Sequence, residues 1–358
     1  STHFRLLCTK VTVKTVILTA TIMAQTIKKS VVVMGGGTGT HTILKGLKKY
    51  ADDIDIAAVI SMADSGGSTG RLRDEFGQLP VGDVRMALAA LARDYDDHEE
   101  LLRELFLYRF DRGNGLKGHN FGNLLLTALT EILGTEAEAV KAAAKLLRVQ
   151  GTVLPVTADD VQLVATYDDG IMIKGEHAID EPDISRKGHK IVTLVCEPMG
   201  IISSEAKEKL TEADLIVLGP GDLYSSLLAN VVIGGVPEAL QSSRGKLVYI
   251  ANLMEKAGQT ESMSIADCCN ELCRYTGRYP DVVMINDADL PNEIVEYYLQ
   301  SEGVRPVVDN SSELTSLVVK KDLITHEVIK QSTCDVLSRS LIRHDSDKLA
   351  AEVMELIE

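Results

Sequence analysis

The stretch Val31-Val32-Val33-Met34-Gly35-Gly36-Gly37-Thr38-Gly39-Thr40 decides the fold. Its β-branched run predicts a short buried strand and its glycines a tight loop, and the spacing of Ile43, Leu44 and Leu47 predicts a helix over Thr40 to Tyr50. Working outward, Ile54 to Met62 (IDIAAVISM) is apolar on both faces, as a strand inside a parallel sheet is, and it completes a β-α-β unit. Helical patterns follow around Gly82 to Arg93, His98 to Phe110, Phe121 to Leu133 and Glu136 to Val149. They are expected to cover the sheet.

From Gly151 to His189 the pattern changes to VQLVATY, then Asp168-Asp169-Gly170, then IMIKGEH, which predicts a β-hairpin with an Asp-Gly turn. The α/β alternation resumes with strands at Ile191 to Cys196, Leu215 to Leu218, Leu247 to Ile250 and Val282 to Ile285, separated by helical patterns, and ends on a helix from Asp347 to Ile357. The expected architecture is a Rossmann-like, doubly wound, mostly parallel sheet with helices on both faces. A small β-hairpin insertion is placed at about 151–189.

Composition narrows the function. The 358 residues carry a net charge of −15, so no basic field exists to hold a polyanionic backbone, and nucleic-acid binding is excluded as the main function. No apolar run reaches the length of a membrane helix, and the six cysteines have neither the density nor the spacing of a secreted disulfide framework. The expectation is a soluble cytoplasmic protein that binds a small ligand. Cys268, Cys269 and Cys273 read as buried helical positions rather than zinc ligands. Residues 1–29 differ from the rest in holding Arg5, Lys10, Lys14, Lys28 and Lys29 with no acid; they read as a poorly ordered extension, with the true start near Met23. Residues 30–358 are expected to form one nucleotide-binding α/β domain.

Four loops can carry chemistry. Gly36, Gly37, Thr38 and Gly39 lie between a strand and a helix, where backbone N–H groups and the helix dipole favour an anion. A full dinucleotide fingerprint is missing, since Thr40 stands where glycine or alanine is needed, and no Gly-Lys-Ser/Thr makes a P-loop. The second loop holds Asp64, Gly66, Gly67, Ser68 and Arg71. Asp64 suits a ribose hydroxyl or Mg²⁺, and the glycine amides and Ser68 offer donors to phosphate or sugar oxygens. The third holds His119, Asn120 and Asn123 at the start of a helix. The fourth, Gly219, Gly221, Asp222 and Leu223, again opens a helix, so a diphosphate is expected to be held from both sides.

These loops, GGGTGT at Gly35 to Thr40, DSGGSTGRLRDEFG at Asp64 to Gly77, GDVR at Gly82 to Arg85, GHNFGNL at Gly118 to Leu124 and LGPGDLYSS at Leu218 to Ser226, followed by ANLM at Ala251 to Met254, resemble those of the gluconeogenesis factor family. That family is related to the 2-phospho-L-lactate transferases and shares the CofD-like fold. The resemblance implies a Rossmann-like core that binds a nucleotide-sugar such as UDP-N-acetylglucosamine and a regulatory role in cell shape and envelope synthesis on gluconeogenic carbon sources, through a protein partner that the sequence does not identify. The alternative it implies is a transferase using a GDP-linked phospholactate. Ser65 stands where the family usually shows a second acid, which removes one carboxylate from any Mg²⁺ site and leaves Asp64, with Asp222 able to approach from the fourth loop. A homodimer is the default assembly.

Overall fold

The computed structural model describes residues 28–325 and 341–357; the predicted extension therefore lies almost wholly outside the described residues. Its centre is β1 (Lys29–Gly35), the helix α1 (Gly37–Leu47) and β2 (Ile54–Ile60), with β1 and β2 parallel over their full length. Val31 to Met34 are wholly buried, as are Ala57 to Ile60. Each large apolar side chain so buried contributes about 1.5–3 kcal/mol, which is why these strands are apolar on both faces.

Helices α2 (Gly67–Phe76), α3 (Gly82–Leu91), α4 (Asp97–Leu107), α5 (Phe121–Leu133) and α6 (Glu136–Leu146) lead to β3 (Thr152–Pro155). Next come β4 (Gln162–Tyr167), β5 (Met172–Lys174), the short helix α7 (Glu176–Asp180) and β6 (Ile191–Glu197). The chain continues through α8 (Ser204–Glu212), β7 (Leu215–Leu218), a π-helical segment Leu223–Leu228 and α9 (Val236–Ser242). It ends with β8 (Lys246–Ile250), α10 (Ile265–Thr276), β9 (Val282–Asn286), α11 (Asn292–Ser301), β10 (Leu317–Lys321) and α12 (Ser346–Glu355).

Seven strands form one sheet in the order β10-β9-β8-β7-β1-β2-β3, every neighbouring pair parallel. The Rossmann-like α/β architecture read from the sequence is the one observed. Two strands fall elsewhere than the sequence pattern placed them. Thr152–Pro155 pairs with β2 as an edge strand of the main sheet, and Ile191–Glu197 pairs antiparallel with β4 in a separate three-stranded sheet, β5-β4-β6. The residue pattern explains the second case: Val192, Thr193, Val195 and Glu197 are exposed while Ile191, Leu194 and Cys196 are buried, so this strand has one wet face and suits an antiparallel sheet. The small sheet thus spans β4 to β6 rather than residues 151–189.

α2 replaces what the sequence suggested was a loop. With Gly66 at its N-cap, Gly67 and Gly70 inside and Leu72 as its one buried large apolar residue, it has little intrinsic helix propensity, and tertiary contacts hold it. Cys268 and Cys269 sit on the buried face of α10, and burial pushes both thiols up to about 12, whereas Cys273 is half-buried. Among the described residues no helix is long and apolar enough to cross a membrane.

His344 lies just before α12, bridged to Ile324 and bonded to the Ala251 carbonyl, with its Nε2 unpartnered among the described residues. Burial pushes its imidazole down to about 4 from the ordinary 6.5. The native state therefore binds fewer protons than the unfolded chain between these values, and stability falls as pH drops through that window, by at most about 1.4 kcal/mol per pH unit from this group. Urea unfolding of the parent and of His344→Leu at pH 7, 6, 5 and 4.5 is expected to show a shallower decline in the variant; parallel declines would assign the acid sensitivity elsewhere.

Candidate functional site

In the strand order, β1 lies between β2 and β7, and the chain leaves β1 toward β2 but leaves β7 toward β8. That is a topological switch point, and the loops following β1 and β7 diverge over a crevice at the carboxyl ends of the strands. Those loops are the first and fourth read from the sequence. Gly39 is the point of closest approach: a Cβ there would land on the Pro220 carbonyl oxygen. Gly37 differs, having open space around it but a φ of +65°, so its glycine is required by backbone conformation. Thr40 bonds to the Gly36 carbonyl at 3.0 Å and packs against Gly35, while Thr38 is exposed at the crevice rim. Beyond Gly219, the Gly221 N–H and C=O are held by Asn252 Oδ1 and Nδ2 at 3.4 and 2.9 Å, and Leu223 is buried, leaving only its backbone to face a ligand.

The second and third loops interlock. Ser68 Oγ lies 3.2 Å from His119 Nδ1 and accepts from the Asn120 N–H at 3.3 Å; Asn123 donates to Thr69 Oγ1 at 3.3 Å and accepts from Arg85 Nε at 2.8 Å. Arg71 bonds outward to the Lys117 carbonyl at 3.1 Å. Asn120 caps α5 through its oxygen and donates its amide to the Leu107 carbonyl, so both ends of that side chain are committed to structure. Burial, with the Arg71 charge beside it, pushes the His119 imidazole down from its ordinary value, leaving it neutral near pH 7. This pair of loops forms the braced wall of the crevice.

Asp64 stands at the floor, its carboxylate bonded to the Gly66 N–H at 2.9 Å and packed against Gly82. The acid absent at Ser65 is supplied from elsewhere. Asp83, in the first turn of α3, presses its carboxylate against Gly36 and accepts from the Gly37 N–H. Burial, then the Asp64 charge, pushes Asp83 up to about 7, and burial likewise raises Asp64. α7 brings Glu176 and Asp180 over the same crevice, and Glu176 is driven well up by burial and by Asp64, Asp180 and Asp83. Asp222 completes the set, pushed up to about 6 by burial against the pull of Lys256. Ser65 ties α7 down, its hydroxyl accepting from the His177 N–H at 3.0 Å.

Asp83, Glu176, Asp180 and Lys256 were not singled out from the sequence. The signal for α7 was available, because Glu176 and Asp180 are four residues apart and so share a helix face, but the sequence read that stretch as hairpin. Tyr224, in the fourth loop's motif, is buried and turned to Glu271 at 2.9 Å, so it offers no stacking platform. Carboxylates that burial and mutual repulsion hold above their ordinary range, all hard oxygen donors, are a set that a divalent cation relieves, and Asp64 and Asp83 are the residues that would hold Mg²⁺.

Fold and crevice together define a Rossmann-like α/β protein whose ligand space opens at a switch point between glycine-rich loops. The chain belongs to the CofD family, in the branch of the gluconeogenesis factors: a family model described as 2-phospho-L-lactate transferase CofD matches residues 31–325. A putative gluconeogenesis factor of Thermotoga maritima is 39% identical over 327 residues, covering 91% of this chain and 98% of that one. The gluconeogenesis factor of Bacillus subtilis is 36% identical over 335 residues, covering 92% and 98%. A crystal structure of a UPF0052 family member from Bacillus halodurans superposes with a TM-score of 0.81 at 32% identity, covering 91% of this chain and 99% of that one.

Gly39→Ala and Gly37→Ala separate close packing from backbone strain. The first must part the two switch-point loops and is expected to cost about 1–3 kcal/mol in urea unfolding. The second places a side chain in free space at positive φ and is expected to cost about 1 kcal/mol. A Gly39→Ala variant as stable as the parent would show that the two loops part without cost.

Proposed function

We propose that this protein binds a nucleotide-diphosphate sugar of the uridine series, such as UDP-N-acetylglucosamine, and responds to it as a cytoplasmic regulator of cell shape and envelope synthesis, without consuming the ligand. The observation that carries this reading is the meeting of two glycine-rich, helix-opening loops at the switch point, opposite Asp64 and Asp83. Backbone N–H groups at such loops suit a diphosphate. A diphosphate cannot approach these carboxylates bare; Asp64 and Asp83 would hold Mg²⁺, which would supply the neutralising positive charge. Arg85, buried beside Asp64 and Asp83, lowers the cost of their ionisation, and the braced wall of Ser68, His119 and Asn123 fixes the crevice's shape. A homodimer and a protein partner in envelope synthesis belong to the same reading.

A second reading, a transferase acting on a GDP-linked phospholactate, is favoured by the closeness of Asp64 and Asp83, since the charge that develops on a phosphate leaving group calls for a cation held by paired carboxylates. Two assays separate them. UDP-N-acetylglucosamine with Mg²⁺ is expected to raise the melting temperature, corresponding to about 2.7 kcal/mol at 100 times the dissociation constant, and chromatography is expected to return it intact. Asp64→Asn should lose most of that shift while keeping its own melt. A GDP-linked phospholactate with a deazaflavin acceptor should yield no product above background; turnover there replaces the regulator with the transferase.

A further inference from the structure

Two cations meet on the crevice wall with no acid to balance them. Arg71 comes from α2 and Arg109 from the extended segment after α4, and both guanidiniums lie on Gly118 of the third loop. Arg109 Nη1 donates to the Gly118 carbonyl at 2.9 Å; Arg71 Nη1 donates to the preceding carbonyl, that of Lys117, at 3.1 Å, and its Nη2 sits 2.9 Å from where a Gly118 Cβ would be. Gly118 has a φ of +84°, so glycine is needed there both for its backbone and for the room it leaves. Backbone pairing fixes the frame: Arg109 bridges to Asn120, and the Phe110 N–H donates to the His119 carbonyl at 2.9 Å. Among the described residues neither guanidinium has a carboxylate within 4.0 Å. Six other arginines do, as Arg186 has Asp169 at 2.8 Å, in a chain whose acids outnumber Lys and Arg by 52 to 37. Acid is plentiful, and this pair is left without it.

We propose that Arg71 and Arg109 form an anion subsite for a carboxylate on the sugar half of the ligand, so that acidic nucleotide-sugars bind in preference to neutral ones. The inference rests on the reading of the crevice as a nucleotide-diphosphate site. Each guanidinium gives its Nη1 to a carbonyl and keeps its Nε and Nη2 donors, a planar fork of the kind that carboxylate oxygens accept. The charges run in order across the crevice. Asp83 presses on Gly36 and feels Asp64, while burial and then the Arg71 charge hold Arg109 below its ordinary range, with the Asp64 charge pulling the other way. Asp64 is thus felt from both sides, by the acid on the glycine loop and by the arginine pair. The same two guanidiniums, after burial, help keep the proton off His119. An anion placed between them relieves that repulsion. A diphosphate seated on the glycine loops leaves this wall to one of the ligand's two ends. Uracil is neutral and gives paired guanidiniums no charge to hold, so the group that answers them belongs to the sugar.

The test measures dissociation constants by isothermal titration calorimetry with Mg²⁺ present, using the full chain and two ligands, UDP-glucose and UDP-glucuronate, that differ only in a hydroxymethyl against a carboxylate. The parent is expected to bind UDP-glucuronate about tenfold more tightly, the scale of one charge-assisted hydrogen bond, and Arg71→Met/Arg109→Met to bring that ratio to about one, whatever happens to each affinity. A parent that shows no preference, or a preference that survives in the double variant, overturns the subsite. Arg71 is exposed, so Arg71→Met alone decides the matter if the double variant fails to melt cooperatively, and its ratio must then fall by at least about threefold. If neither uridine ligand binds the parent, the uridine reading falls by itself, and the same ratio is read with GDP-mannose and GDP-mannuronate under the same criteria. A parent that binds none of these ligands overturns both.

Discussion

A parallel sheet delivers its loops to one edge, and here those loops and the first turn of α3 carry Asp64, Asp222 and Asp83 into a space walled by glycine backbone, where burial and neighbouring carboxylates oppose ionisation. Each surrounding feature answers that constraint. Gly36 and Gly82 lack side chains where the Asp83 and Asp64 carboxylates press, Gly37 offers its N–H to Asp83, and Lys256 stands between Asp180 and Asp222. The glycines that first suggest a phosphate loop are thus also the residues that let acids approach the backbone. Both roles follow from the same missing Cβ.

The sheet was legible because its strands obey one physical rule: a strand segment covered on both faces is apolar at every position, as in Val31 to Met34 and Ile56 to Ile60. The same rule, misapplied, put Ile191–Glu197 in the wrong sheet, where only Ile191, Leu194 and Cys196 are buried. α2 was illegible because glycine and polar residues give it no amphipathic stripe. At the site, the glycine loops were legible through local sequence, since a strand, a glycine cluster and a helix are contiguous. Asp83, Glu176, Asp180 and Lys256 were not, because what unites them is convergence in space from three separate segments. The third loop shows the reverse, since two asparagines and a histidine at a helix start resemble a ligand contact, and Asn120 is spent on capping and bracing.

The three-stranded sheet gives the crevice a second source of specificity. Its helix α7 supplies Glu176 and Asp180 and is pinned by Ser65 below and by Lys256 and Gln259 from the side. The core sheet carries the glycine loops, while the insertion presents its acids over them. Family members that keep the glycine loops and alter this insertion would keep the same floor under a different roof.

The position of β1 has a consequence for how the molecule comes into being. β1 pairs on one side with β2, close in sequence, and on the other with β7, whose register runs Val31↔Leu215 to Met34↔Leu218. During synthesis the β1–β2 unit, complete early, carries an open apolar edge until β7 leaves the ribosome. The helices between them must fold against that unfinished sheet and shield it, and the switch-point crevice does not exist until the two halves meet. Ligand competence is therefore acquired late and all at once, and a nascent chain stalled before Leu215 exposes a sticky edge without any pocket to show for it.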